Sequence, residues 1–178
     1  MPSYLVVTLF GSCRSSTLAD LLALIAAQHC RALDSHFMSF DAVSAFALRI
    51  GGNWDRLVRV ETALKDFAQR MQLEISVQQE AGQAEHEAVL PYVLDAIGLE
   101  SADMSAAIVR FCARQGVGVR ELSTRSYRPK HSSEQLIQLR AAVDLPAHAH
   151  LGQFKSDFFD LCDALNLDAA IEPERGMS

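Results

Sequence analysis

The chain has 178 residues, 49% of them hydrophobic and 21% charged, and a formal net charge of −6. That composition is ordinary for a water-soluble globular protein of one domain or two small ones. An acidic chain without a clustered basic face is poorly suited to direct nucleic-acid binding, because phosphate neutralisation needs gathered Lys and Arg.

Taken in chain order, Tyr4–Phe10 is a β-rich apolar run that predicts a central strand, ending at Gly11. From Ser15 to Cys30 the period changes. Leu18, Leu21, Leu22 and Ile25 mark one helical face, and Ser15, Ser16 and Thr17 are candidate N-caps. Ala32–Phe40 and Val43–Ile50 predict two strands, the second closed by Gly51-Gly52-Asn53. Trp54–Gln72 is an amphipathic helix with Leu57, Val60, Leu64, Phe67 and Met71 on its stripe, and Leu73–Gln78 is a strand. Glu80–Val89 is polar and reads as a linker whose last residues can lead into the next strand.

The same order then recurs. Leu90–Ile97 predicts a strand ending at Gly98, and Ala102–Gln115 a helix with Gly116 and Gly118 as stop signals. Val119–Arg128 and Glu134–Val143 form a hairpin, His150–Asn166 a helix and Leu167–Glu172 a strand. Gly98 lies 87 residues after Gly11, and the same offset sets Asp34 over Glu121. Later the offset is 94, placing the second-helix stripe of copy one over Leu151, Phe154, Phe158, Leu161 and Leu165. A repeat of this length is a duplicated domain.

Two β-α-β-β-α-β units predict two ferredoxin-like sandwiches of class α+β, each an antiparallel sheet with helices on one face. The expected division is residues 1–79, a linker over 80–89 and a second domain over 90–173. Open sheet edges of this kind tend to pair, so side-by-side association and a homodimer are expected. The stripes of Met and Phe are read as core.

Copy one is neutral, with seven basic and seven acidic side chains, while copy two carries nine and twelve. The four cysteines form no C-x-x-C pair, which argues against a zinc ribbon or a redox motif and suits a reducing compartment. Met1–Gly11 does not resemble a secretory signal, and no apolar stretch reaches membrane-spanning length. A cytoplasmic location is expected. His148 and His150 lack a further ligand at helical spacing, so neither metal nor cofactor is expected. The group Arg125, Arg128 and Lys130 is most simply a solvated hairpin loop.

The candidate site is the turn between first strand and first helix. In copy one it comprises Gly11, Ser12, Cys13, Arg14, Ser15 and Ser16. A helix N-terminus presents free N–H groups and partial positive charge, which suits a carboxylate or phosphate. The alternative is a plain helix cap beside a surface arginine. A thiolate nucleophile at Cys13 is a third reading, without a fixed partner in sequence. In copy two the turn begins at Gly98 and carries Glu100 and Asp103, which repel an anion and fit capping better. Asp34 and Glu121, on the second strand of each copy, are candidates to receive an amino group or are solvated strand residues.

The segment YLVVTLFGSCRSSTLADLLALIAAQHCRALDS resembles the ACT domain family of small regulatory modules that often bind amino acids. A tandem pair in one chain resembles the glycine cleavage system transcriptional repressor family. Of the usual Gly-x-Asp-Arg-Pro-Gly turn, copy one keeps Gly11 and Arg14, with Cys13, Ser15 and Ser16 at the other positions. Copy two keeps Gly98 alone. Asp34 matches the acidic position on the second strand. The resemblance implies a non-enzymatic regulator that acts through a DNA-binding partner protein and senses a small amino acid such as glycine. The alternative is a ligand-independent interaction or scaffolding module.

Overall fold

The computed structural model describes residues 3–81, 88–99, 101, 103–130 and 133–174. It divides into two compact units, residues 1–84 and 85–178. Unit one runs β1 (Ser3–Gly11), α1 (Ser15–Ala27), β2 (Arg31–Phe40), β3 (Val43–Gly52), α2 (Trp54–Met71) and β4 (Glu74–Ala81). Unit two runs β5 (Val89–Leu99), α3 (Met104–Arg114), β6 (Gly118–Tyr127), β7 (Leu136–Pro146), α4 (Leu151–Ala164) and β8 (Asp168–Pro173). The sheets have the same order, β2-β3-β1-β4 and β6-β7-β5-β8, with every adjacent pair antiparallel. This is the ferredoxin-like topology, twice.

Alternation along the central strands decides which face is buried. Leu5, Val7 and Leu9 of β1 and Phe46, Leu48 and Ile50 of β3 point to the helices, where Leu21, Ile25, Leu57, Val60 and Leu64 meet them. In unit two, Leu94 and Leu139 meet Ile108, Phe154 and Phe158. Phe111 stacks on both, with ring centroids 5.2 Å from Phe154 and 6.0 Å from Phe158. Each fully buried Leu or Phe stabilises its unit by about 1.5–3 kcal/mol through removal from water.

The stripes are not all core. Met71 lies at the end of α2 and is exposed, as are Met38, Phe10 and Phe40. β2 is an edge strand and all ten of its residues are exposed. The polar segment between the repeats is shorter than its composition predicts, because Glu80 and Ala81 belong to β4 and Val89 to β5. Gly118 opens β6 and does not stop α3. Among the described residues, each of the helices α1 to α4 is followed by a left-handed residue: His29, Gln72, Gly116 and Asn166. In three of them the side chain stands where glycine is the cheaper choice.

Among the described residues, no helix is long and apolar enough to cross a membrane.

Candidate functional site at the first strand–helix turn

Gly11 closes β1 at φ +146°, a conformation that favours glycine. A Cβ there would lie 2.7 Å from Leu73 Cδ2. At Gly98 a Cβ would lie 2.5 Å from Leu167 Cδ2, the equivalent leucine. Both turn glycines are therefore required by the close approach of the residue that enters the last strand. That requirement is structural and holds in both copies.

The turn then departs from simple capping. Arg14, and none of Ser15, Ser16 or Thr17, takes the N-cap position of α1, with no side-chain cap bond. Ser12, Arg14, Ser15 and Ser16 are exposed, so the first-turn N–H groups and the guanidinium share one solvent-facing edge. Thr17 instead turns inward and is buried. At α3 the N-cap is Asp103, also without a side-chain cap bond, and its N–H donates to Ser101 Oγ at 3.3 Å. Glu100 lies outside the described residues.

Behind the copy-one turn is a small cavity of about 10 Å³, lined by Gly11, Cys13, Thr17 and Ser44 with Phe46 and Phe67 behind them. It has room for about one water-sized group. Ser44, buried on β3, donates to the Cys13 carbonyl at 3.4 Å, and its hydroxyl lies 3.3 Å from that of Ser39. This tether across 31 residues fixes the turn against the sheet, and sequence reading missed it. Its only sequence signal is a serine interrupting the apolar alternation of β3.

The matching positions in copy two are apolar. Met104 stands for Thr17 and Ile137 for Ser44, and both pack into the unit-two core. The cavity, mostly apolar but bordered by Thr17 and Ser44, is described behind the copy-one turn.

Burial raises the Cys13 thiol above its ordinary pKa, which disfavours the thiolate at neutral pH. Cys30, Cys112 and Cys162 are buried. Among the described residues no group of three His, Cys, Asp or Glu gathers at metal-binding distance.

Asp34 is not brought to the turn. It pairs in register with Arg49 on β3, five positions from the Ser39–Ser44 row beside Gly11, about 17 Å along the strand. Its carboxylate lies 3.6 Å from His36 Nε2. Glu121 holds the equivalent place opposite Ala142, and each acidic residue directly follows a bulge in its strand.

Residues 3–78 match the ACT domain family model. The match lies within the first unit. The second repeats its topology, so the chain has a tandem ACT-like fold. No curated protein matches the chain in sequence. Among solved structures, an unknown protein from Galdieria sulphuraria superposes with TM-score 0.78 and 16% identity, over 97% of this chain and 99% of that one. A protein described as a "putative glycine cleavage system transcriptional repressor" superposes with TM-score 0.71 and 20% identity, over 97% of each chain. At these identities the likeness is one of fold, extending through both units.

Proposed function

We propose that the protein is a non-enzymatic tandem-ACT regulator whose first turn senses a small amino acid and whose surfaces pass that state to a protein partner. The observation that carries this reading is the difference between the two turns. Copy one pairs an exposed helix N-terminus and Arg14 with a small, mostly apolar cavity bordered by Thr17 and Ser44, whereas copy two has Met104 and Ile137 at those two positions.

The chemistry follows from the parts. The effector's carboxylate lies at the N–H groups that open α1, beside the Arg14 guanidinium, where the helix dipole and a charge-assisted bond both favour an anion. A cavity of about 10 Å³ admits nothing larger than a methyl-sized group, so glycine and alanine are the fitting ligands. Asp34 stands too far along the sheet to touch the same small molecule. The partner is taken to be a DNA-binding regulator in the manner of the glycine cleavage repressors, which accords with the net charge of −6.

A second reading is favoured by one specific feature. Phe10, Met38, Phe40 and Val43 are exposed at one end of the first sheet, as a ligand-independent docking surface requires.

The test is a thermal-shift titration of the full chain with the twenty amino acids. At a hundredfold excess over Kd a ligand stabilises by about 2.7 kcal/mol. For a unit of this size that raises Tm by roughly 10 °C or more. Glycine or alanine is expected to shift the wild type and not Arg14→Ala. A flat response to all twenty leaves the interaction-module reading.

A further inference from the structure

Each sheet packs one face on its helices and leaves the other open, and the two open faces differ in chemistry. In unit one the register sets Met38, Ala45 and Phe10 side by side across β2, β3 and β1. Ala47 and Thr8 form the next pair along β3 and β1, while Phe40 and Val43 pair at the end that carries the Arg14 turn. In unit two Arg125 stands for Met38, Gln138 for Ala45, Arg140 for Ala47 and Asp95 for Thr8. There Arg140 bonds Asp95 at 3.0 Å, an ion pair where unit one has Ala47 beside Thr8. Unit two therefore presents an ordinary solvated sheet face. The duplicated chain supplies its own comparison, and only unit one is apolar here.

Phe10, Met38 and Phe40 are 52%, 51% and 66% exposed, and Val43 is exposed beside them. Because they share a face with Ala45 and Ala47, they form one continuous patch. The four large side chains present roughly 400 Å² of apolar surface, as much as the largest patch of an ordinary monomer. That is about half of the roughly 800 Å² each partner brings to a standard interface, close to the apolar share of such an interface.

We propose that this face pairs with the same face of a second copy of the chain, sheet against sheet about a two-fold axis. Charge and shape select that occupant. A two-fold interface sets a patch against itself. None of Phe10, Met38, Phe40, Val43, Ala45 and Ala47 carries a charge, so two copies meet here without like-charge contact although each chain has a net charge of −6. A foreign partner is selected largely by complementary charge, and the patch offers none. The relief is also self-complementary. Ala45 lies between Met38 and Phe10, a dip between two large side chains, which suits the interdigitation of packed sheets. This pairing gives an occupant to the docking surface of the interaction-module reading. It does not depend on an amino acid at the Arg14 turn.

The test is sedimentation velocity of the full chain at micromolar concentration. A species of twice the 19.6 kDa chain mass is expected. Ala45→Gln combined with Ala47→Arg places the unit-two residues on the central strand β3, away from either edge of the sheet. It is expected to weaken the dimer about a hundredfold or more, because each copy then buries an unpaired guanidinium. Both positions are partly exposed, so far-UV circular dichroism and the Trp54 urea transition are expected to stay as in the wild type. Met38→Arg, at a more exposed position, is expected to dissociate the dimer in the same way. Arg14→Ala is expected to leave it intact. A wild type that remains monomeric, leaving the patch to a foreign partner, would overturn the proposal. So would a dimer that survives the double variant, since it joins elsewhere. Neither result touches the Arg14 site.

Discussion

Replacing Gly11 by Ala tests whether the turn is built as described. Two costs add in this variant. The residue sits at φ +146°, where an L side chain is strained by about 1–3 kcal/mol. Its Cβ would also stand 2.7 Å from Leu73 Cδ2, an overpacking that costs about 1–3 kcal/mol. Leu73 can swing aside in part, so the expected sum is about 2–4 kcal/mol. A unit of this size loses about 4–8 °C in Tm per kcal/mol, which gives a fall of roughly 8–30 °C. Gly98→Ala is the internal control. It meets Leu167 at 2.5 Å and the Asn166 carbonyl at 3.2 Å but has no left-handed φ, so only the packing cost of about 1–3 kcal/mol applies. The chain has a single tryptophan, Trp54, in the first unit. Its fluorescence during urea unfolding follows that unit, while far-UV circular dichroism follows both. Gly11→Ala is expected to shift the Trp54 transition and Gly98→Ala to leave it in place. In thermal unfolding followed by the same fluorescence, a Gly11→Ala transition within about 4 °C of wild type would refute the strain argument.

Further outcomes follow from the same geometry. In the native protein one thiol per chain, Cys13, is expected to react with a disulfide reagent, slowly at neutral pH, and Cys13→Ser is expected to remove that reaction. Rapid modification of two or more thiols would contradict the burial of Cys30, Cys112 and Cys162. Burial raises the Cys112 and Cys162 thiols to about 11. The unfolded chain therefore loses these protons first, and the stability they confer is intact below pH 9 and lost as pH rises toward 11. Urea midpoints of unit two should fall across that window at up to about 1.4 kcal/mol per pH unit for each thiol; a flat profile would count against it. Gln72→Gly, at φ 55° after α2, is expected to stabilise unit one by about 1 kcal/mol, read from the Trp54 transition.

Much of the fold was legible because its signals are local. Leu5, Val7 and Leu9 alternate, and Leu57, Val60 and Leu64 recur at helical spacing, so each segment declares its own period. The repeat declared the topology. The site was less legible because it is made of contacts across the chain. That Ser44 tethers Cys13, or that Leu73 forces glycine at position 11, depends on pairing between strands far apart in sequence. The bulges before Asp34 and Glu121 were equally silent, and they set both carboxylates on the open face, away from the turn. Exposure of Phe10, Met38 and Phe40 also escaped the pattern, since an apolar residue on the open face of a sheet looks like core until the helices are placed.

The central claim is that one turn, and not its copy, carries the effector. Calorimetric titration of the full chain with glycine measures that directly, through stoichiometry. One site per chain is expected, lost in Arg14→Ala. Two sites per chain, or one that survives Arg14→Ala, would contradict it.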